Sequence, residues 1–172
     1  MIMQTRAPKQ LGDFGEGLVT YVLIRKGYEI AFVDHVGADL IAEKNGNRLA
    51  ISVKTRMFKK GSKESQVFVV EKEHLAKLEH FATQFKMRPV FALLIILVDE
   101  GMMHLMIMPV ADLKNSLPEV KHGYSIRFTP SKRSELMARS FVDYSYWKEE
   151  KIGDKDLFIT SCRTRPAPTP VF

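Results

Sequence analysis

The chain has 172 residues, 45% of them hydrophobic and 27% charged, the proportions of a soluble globular protein large enough for one domain with a substantial core and too small for two. A formal net charge of +6 favours an anionic partner, nucleic acid first. A lone cysteine, Cys162, excludes an internal disulfide and a CxxC metal site, residues 1–10 hold no apolar signal segment, and the longest apolar run, 90–98, is too short to cross a bilayer, so the expected location is cytoplasmic with no membrane contact.

Residues 11–26 read as the first helix. Leu11, Phe14, Leu18, Tyr21, Val22 and Leu23 follow a mostly helical spacing, and Gly27 is placed to end it in the left-handed conformation. Gly12, Gly15 and Gly17 weaken the opening turns by up to about 1 kcal/mol each relative to alanine. They imply a close backbone approach, to the sheet or to a DNA phosphate. No strand precedes them, which argues against a dinucleotide fingerprint. Glu16, among these glycines, is either a solvated charge favoured near a helix N-terminus or a member of a site.

A strand over residues 28–33 leads through 34–37 into a hairpin about Asn45-Gly46, the sequence signature of a two-residue type I′ turn. The turn sets the register. One surface pairs Ala38 with Val53, Leu40 with Ile51 and Ala42 with Leu49; being wholly apolar, it is the expected core side. The other pairs Asp39 with Ser52, Ile41 with Ala50 and Glu43 with Arg48. Lys54, two residues beyond Ser52, starts roughly 7–8 Å diagonally from Asp39. A carboxylate, a hydroxyl and an ammonium group so placed form either a salt bridge with a satisfied hydroxyl or part of a phosphodiester-cleaving site. Asp34 and His35 border this region and receive no role. The five histidines show no HxxxH spacing, which argues against zinc.

Residues 55–66 form a loop in which Arg56, Lys59, Lys60 and Lys63 follow Lys54 directly. Such a run is either solvated or a cradle for a nucleic-acid backbone, held without reading its sequence. Residues 71–86 form a second helix with Leu75, Leu78, Phe81, Ala82 and Phe85 on one stripe. The continuous apolar run 90–98 reads as a central strand covered on both faces, so helices are expected on both sides of the sheet. Another strand over 102–108 and a short helix over 110–116 follow. Residues 125–129 read as a last strand. Residues 131–151 read as a partly helical segment, whose Phe141, Tyr144, Tyr146 and Trp147 beside Lys132, Arg133, Arg139 and Lys148 suit packing or base stacking. Residues 161–172 read as a proline-rich tail.

The string Gly37-Ala38-Asp39-Leu40-Ile41-Ala42, the hairpin and Ser52-Val53-Lys54 resemble the core motif of the PD-(D/E)XK nuclease superfamily, the restriction-endonuclease-like fold, and its Holliday-junction resolvase-like members in particular. The resemblance covers residues 9–98. It implies an α/β fold, a mixed central sheet flanked by helices with an αβββαβ core. One nuclease-like domain is then expected over 1–160, with core 9–98, an elaboration over 99–160, and a tail from 161. It further implies that Asp39 is the principal ligand of Mg²⁺, with Mn²⁺ able to replace it. The Val53 backbone carbonyl and Glu16, in Gly15-Glu16-Gly17-Leu18, would be further ligands, and Lys54 would orient or deprotonate the attacking water. DNA is the implied partner before RNA, and a homodimer the implied assembly. Ser52 departs from the family pattern, which has an acid there. Some superfamily members with serine in this place recruit a glutamate from the following helix, and Glu71 or Glu73, or more weakly Glu64, is the candidate here. Two functions stay open: a metal-dependent endonuclease cutting DNA in repair, recombination or restriction, and an inactive nuclease-fold protein that binds nucleic acid or a protein partner.

Overall fold

The computed structural model describes residues 7–59, 67–151 and 158–164. In chain order the elements are α1 (Ala7–Arg25), β1 (Glu29–His35), β2 (Ala38–Lys44), β3 (Asn47–Phe58), β4 (Val67–Glu71), α2 (Lys72–Gln84), β5 (Arg88–Leu97), β6 (Met102–Pro109), α3 (Val110–Ser116), β7 (Glu119–Val120), β8 (Gly123–Arg127), α4 (Pro130–Met137), β9 (Asp143–Lys151) and β10 (Phe158–Thr164). The main sheet runs β1-β2-β3-β5-β6-β9-β10, and a second runs β4-β8-β7.

Local chemistry fixes the hairpin. Asn45 and Gly46 both take positive φ, +53° and +79°, as a type I′ turn demands. The ladder pairs Lys44 with Asn47, Glu43 with Arg48, Ala42 with Leu49, Ile41 with Ala50 and Leu40 with Ile51. Gly27, at φ +84°, closes α1 by donating its N–H to the Ile24 carbonyl at 2.9 Å. The α2 crossover makes β5 parallel to β3, while β5–β6 and β6–β9 are antiparallel.

Both faces of the sheet are core. Val19, Val22 and Leu23 of α1 cover Leu40, Leu49, Ile51, Val53, Ala92 and Leu94. Leu75, Leu78 and Phe81 of α2 cover Ala38, Ala50, Phe91, Leu93 and Ile95, joined by Phe68 and Ile126 from the second sheet. The expectation of a single core side to the hairpin is thereby corrected. The surface carrying Asp39 is roofed by α2, and only its tip, Glu43 with Arg48, is in water.

Four stretches differ from the sequence reading. β4 falls just past the loop, where no strand was expected, and pairs with β8. The strand expected over 125–129 is β8 of the second sheet rather than a strand of the first. Residues 131–151 are helical only in α4; Tyr144, Tyr146 and Trp147 stand on β9, where alternation sends Tyr144 to the α2-side core and Trp147 to the α1-side core. β10 runs through the expected boundary at 160–161, and residues 165–172 of the expected tail lie outside the described residues.

Candidate active site

The β2–β3 ladder stops at Leu40–Ile51. The expected pairs Asp39–Ser52 and Ala38–Val53 are replaced by side-chain chemistry. Asp39 Oδ2 accepts the Val53 backbone N–H at 2.6 Å and the Ser52 hydroxyl at 3.1 Å. A carboxylate here takes the place of a ladder acceptor, and hydrogen bonds to a charged group are the stronger kind. Both bonds fall on Oδ2; Oδ1 carries neither.

The strand on the other side of Asp39 is irregular at the same level. Phe32 pairs with Leu40 and His35 with Ala38, so Val33 and Asp34 of β1 oppose Asp39 alone. This two-against-one arrangement is a β-bulge, a device that bends a strand and re-aims its side chains. Asp39 therefore sits where the sheet opens on both of its sides.

Ser52 is buried, 9% exposed, and Lys54, on the same face two residues on, is half-buried. Glu16 approaches from α1. Its carboxyl is held above the ordinary glutamate range, first by partial burial, then by the negative charges of Asp39 and Asp13, with Lys54 pulling the other way. Three carboxylates, Glu16, Asp39 and Asp13, and one ammonium group thus share an electrostatic neighbourhood assembled from three elements. Asp13 is the member that the sequence reading missed; it lies nearly a helical turn before Glu16.

Gly15 explains how Glu16 gets there. A Cβ built on Gly15 would lie 1.9 Å from Thr55 Oγ1, whereas Gly12 and Gly17 face open space. The close approach expected of the three glycines is therefore a property of Gly15, which seats α1 directly on β3. Thr55 is buried, and its hydroxyl has no partner among the described residues.

The structure does not bring Glu71 or Glu73 to Asp39. Both are exposed; Glu71 lies 3.7 Å from His74 Nε2, and Glu73 contacts Lys77 Nζ at 2.6 Å. With Lys72, Lys121 and His122 they line a separate recess. Among the described residues no three His, Cys, Asp or Glu side chains are grouped to hold a metal. Glu64 lies outside the described residues.

Arg56 continues the face of Ser52 and Lys54. Its guanidinium lies 4.9 Å from the centroid of the Phe68 ring and donates to the Thr55 carbonyl at 3.1 Å. Lys59 is exposed, while Lys60 and Lys63 lie outside the described residues.

The sequence matches no family model and no curated protein. The architecture is a mixed α/β fold, a central mixed sheet flanked by helices. It is similar to the structure of Hjc, a Holliday junction resolvase from the archaeal hyperthermophile Archaeoglobus fulgidus, at a TM-score of 0.52 and 18% identity over 72% of this chain and 88% of that one. No helix among the described residues is long and apolar enough to cross a membrane.

Proposed function

We propose that the protein is a metal-dependent endonuclease that hydrolyses DNA phosphodiester bonds in repair, recombination or restriction, working as a soluble cytoplasmic homodimer. The observation that carries this reading is Asp39, set in a doubly opened sheet with its carboxylate oriented by Ser52 and the Val53 N–H and electrostatically coupled to Glu16, on which Lys54 also acts. A carboxylate needed only for a salt bridge requires neither a bulge opposite it nor a second carboxylate raised in pKa beside it.

The donor set fits a hard divalent cation. Asp39 Oδ1 and Glu16 are carboxylate oxygens, and the N–H and C=O of one strand residue point to the same edge, so Val53 turns its carbonyl toward the edge where its N–H meets Asp39. Two acids and a carbonyl suit Mg²⁺ or Mn²⁺, which keep several waters of their own. When bound, the ion supplies charge neutralisation at the transferring phosphate. Asp39 and Glu16 would hold it, Ser52 keeps the Asp39 carboxylate in one rotamer, and Lys54 would either orient the attacking water and screen the phosphate as the ammonium or, as the neutral amine, take the water's proton. Arg56 and Lys59 hold the DNA backbone, with Lys60 and Lys63 continuing the same basic run.

The second reading, a nuclease-fold protein that binds nucleic acid or a protein without cutting, is favoured by one feature: Ser52 stands where an acid is expected, and among the described residues no three acids are grouped to hold a metal. Cleavage of labelled linear, single-stranded and four-way-junction DNA in Mg²⁺, Mn²⁺ or EDTA decides between them. The endonuclease cuts only with metal and loses at least about 100-fold in rate on Asp39→Ala and on Lys54→Ala, the size of a lost charge-stabilising group. Salt-dependent DNA binding without cutting in either metal would select the second reading.

A further inference from the structure

One exposed aromatic has no part in the chemistry above. Phe32 is 65% exposed on β1, the edge strand of the main sheet. Its register partner Leu40 is fully buried in the α1-side core, and directly paired residues share a face. Phe32 therefore stands on the side from which Glu16 approaches. Ile30, two residues earlier on that face, packs against the α1-side core, so the exposure is confined to the end of the strand nearest Asp39. The bulge that faces Asp39 begins immediately after Phe32, and Val36, 72% exposed, follows it. From strand spacings, the Phe32 and Asp39 Cα atoms lie about 6 Å apart, with the Phe32 ring on the α1 side, which Glu16 shares, and Ser52 and Lys54 on the α2 side.

A phenylalanine in water on a sheet edge is a hazard for self-association, whereas Ile30 on the same strand face is partly buried against the core. A flat apolar ring beside a phosphate-cleaving site suits a nucleobase. In a continuous duplex each base is already stacked and paired, so only an unpaired base has a free face to offer. We propose that Phe32 is a base-stacking platform that selects DNA with an unpaired base next to the phosphate to be cut. This rests on the reading of the site as a DNA nuclease. Arg56 and Lys59, by contrast, meet the backbone whatever the state of the bases.

The test is fluorescence anisotropy in EDTA with a continuous duplex, and with the same duplex carrying one unpaired 2-aminopurine, using wild type, Phe32→Ala, Phe32→Trp and Arg56→Ala. Stacking on an aromatic side chain is worth about 1–3 kcal/mol per base, roughly 5- to 150-fold in affinity. Phe32→Ala is expected to lose that factor for the unpaired substrate alone and to abolish the quenching of 2-aminopurine. Phe32→Trp should keep both, and Arg56→Ala should weaken both substrates alike. Equal binding of the two substrates by Phe32→Ala and wild type, with Arg56→Ala still weakened, would overturn the platform and leave the nuclease reading standing. No binding of either substrate by the wild type would remove both. Phe32→Ala that alters sedimentation without altering selectivity would overturn the platform in favour of a protein contact.

Discussion

Ser52 carries the sharpest single-residue question. In its place a carboxylate would put a second negative charge against Asp39; serine instead donates one hydrogen bond to Oδ2. It orients the acid at the cost of a ligand. Ser52→Ala removes that donor from a charged acceptor, a loss of about 1.5–3 kcal/mol; thermal unfolding should fall by several degrees. Ser52→Asp is expected to tighten Mn²⁺ about tenfold by ligand charge count, measured by titration calorimetry, while lowering the metal-free melting temperature through like-charge repulsion. Glu16 makes a separate prediction. Its carboxyl titrates above the ordinary range, and only the ionised form is a ligand, so cleavage should rise with pH through that elevated value. A pH–rate profile checks this: Glu16→Gln should be slow and should lack the acid limb.

At the scale of elements, α1 is positioned by one glycine and α4 by one histidine. Gly15→Ala drives a methyl group into Thr55 Oγ1, so α1 must lift from β3, at about 1–3 kcal/mol for overpacking, and Glu16 lifts with it. Loss of cleavage and of stability together is expected, with both regained in part by adding Thr55→Ala. Gly12→Ala, into open space, should instead stabilise by up to about 1 kcal/mol. On α4, Arg133 reaches Glu100 at 3.1 Å and His104 Nε2 at 3.4 Å. Arginine can only donate, so Nε2 is the acceptor and Nδ1–H donates to the Tyr144 hydroxyl at 2.5 Å. Burial, then the Arg133 charge, pushes the His104 pKa down to about 4. Because the folded value is depressed, the unfolded chain binds the proton first. Stability is intact above about pH 6.5 and falls by up to about 3 kcal/mol as pH drops to about 4. Urea melts across that window check it, and His104→Gln should flatten the slope. The same elements show what a sequence can disclose. The hairpin was legible because Asn45-Gly46 sets its register within a few residues, and the crossover to β5 was legible because a long apolar run must be covered on both faces. β4 was not, since five residues after a polar loop gain their meaning only from β8, far along the chain. β9 was misread because both its faces are buried, which erases the alternation that marks a half-exposed strand. Within the site, Asp39, Ser52 and Lys54 follow from hairpin register, whereas the bulge opposite Asp39 and the remoteness of Glu71 and Glu73 are tertiary facts with no local signature.

At the scale of the whole molecule, the candidate site lies at the β1 end of the main sheet, and α1, which brings Glu16 to it, has a second, outer face. That face is not finished as a water-facing surface. Phe14, Tyr21 and Ile24 are 46%, 50% and 56% exposed, and their spacing of seven and three residues puts them on one stripe. Gly17 lies on the same stripe with open space around it, which lets another backbone come close. A duplex has two strands of opposite direction, and a twofold pair of sites is the simplest way to cut both. The proposed homodimer is expected to use this stripe, because a contact on α1 would fix two Glu16-bearing helices, and with them two sites, relative to one another. Sedimentation equilibrium should give twice the mass of the 172-residue chain. Tyr21→Glu combined with Ile24→Glu should give the monomer with an unchanged circular dichroism spectrum, since both side chains project from the solvent side of the helix. On a supercoiled plasmid the monomer should accumulate nicked circles where the wild type yields linear product. A wild-type monomer, or a variant that stays dimeric, would place the assembly surface elsewhere or remove it.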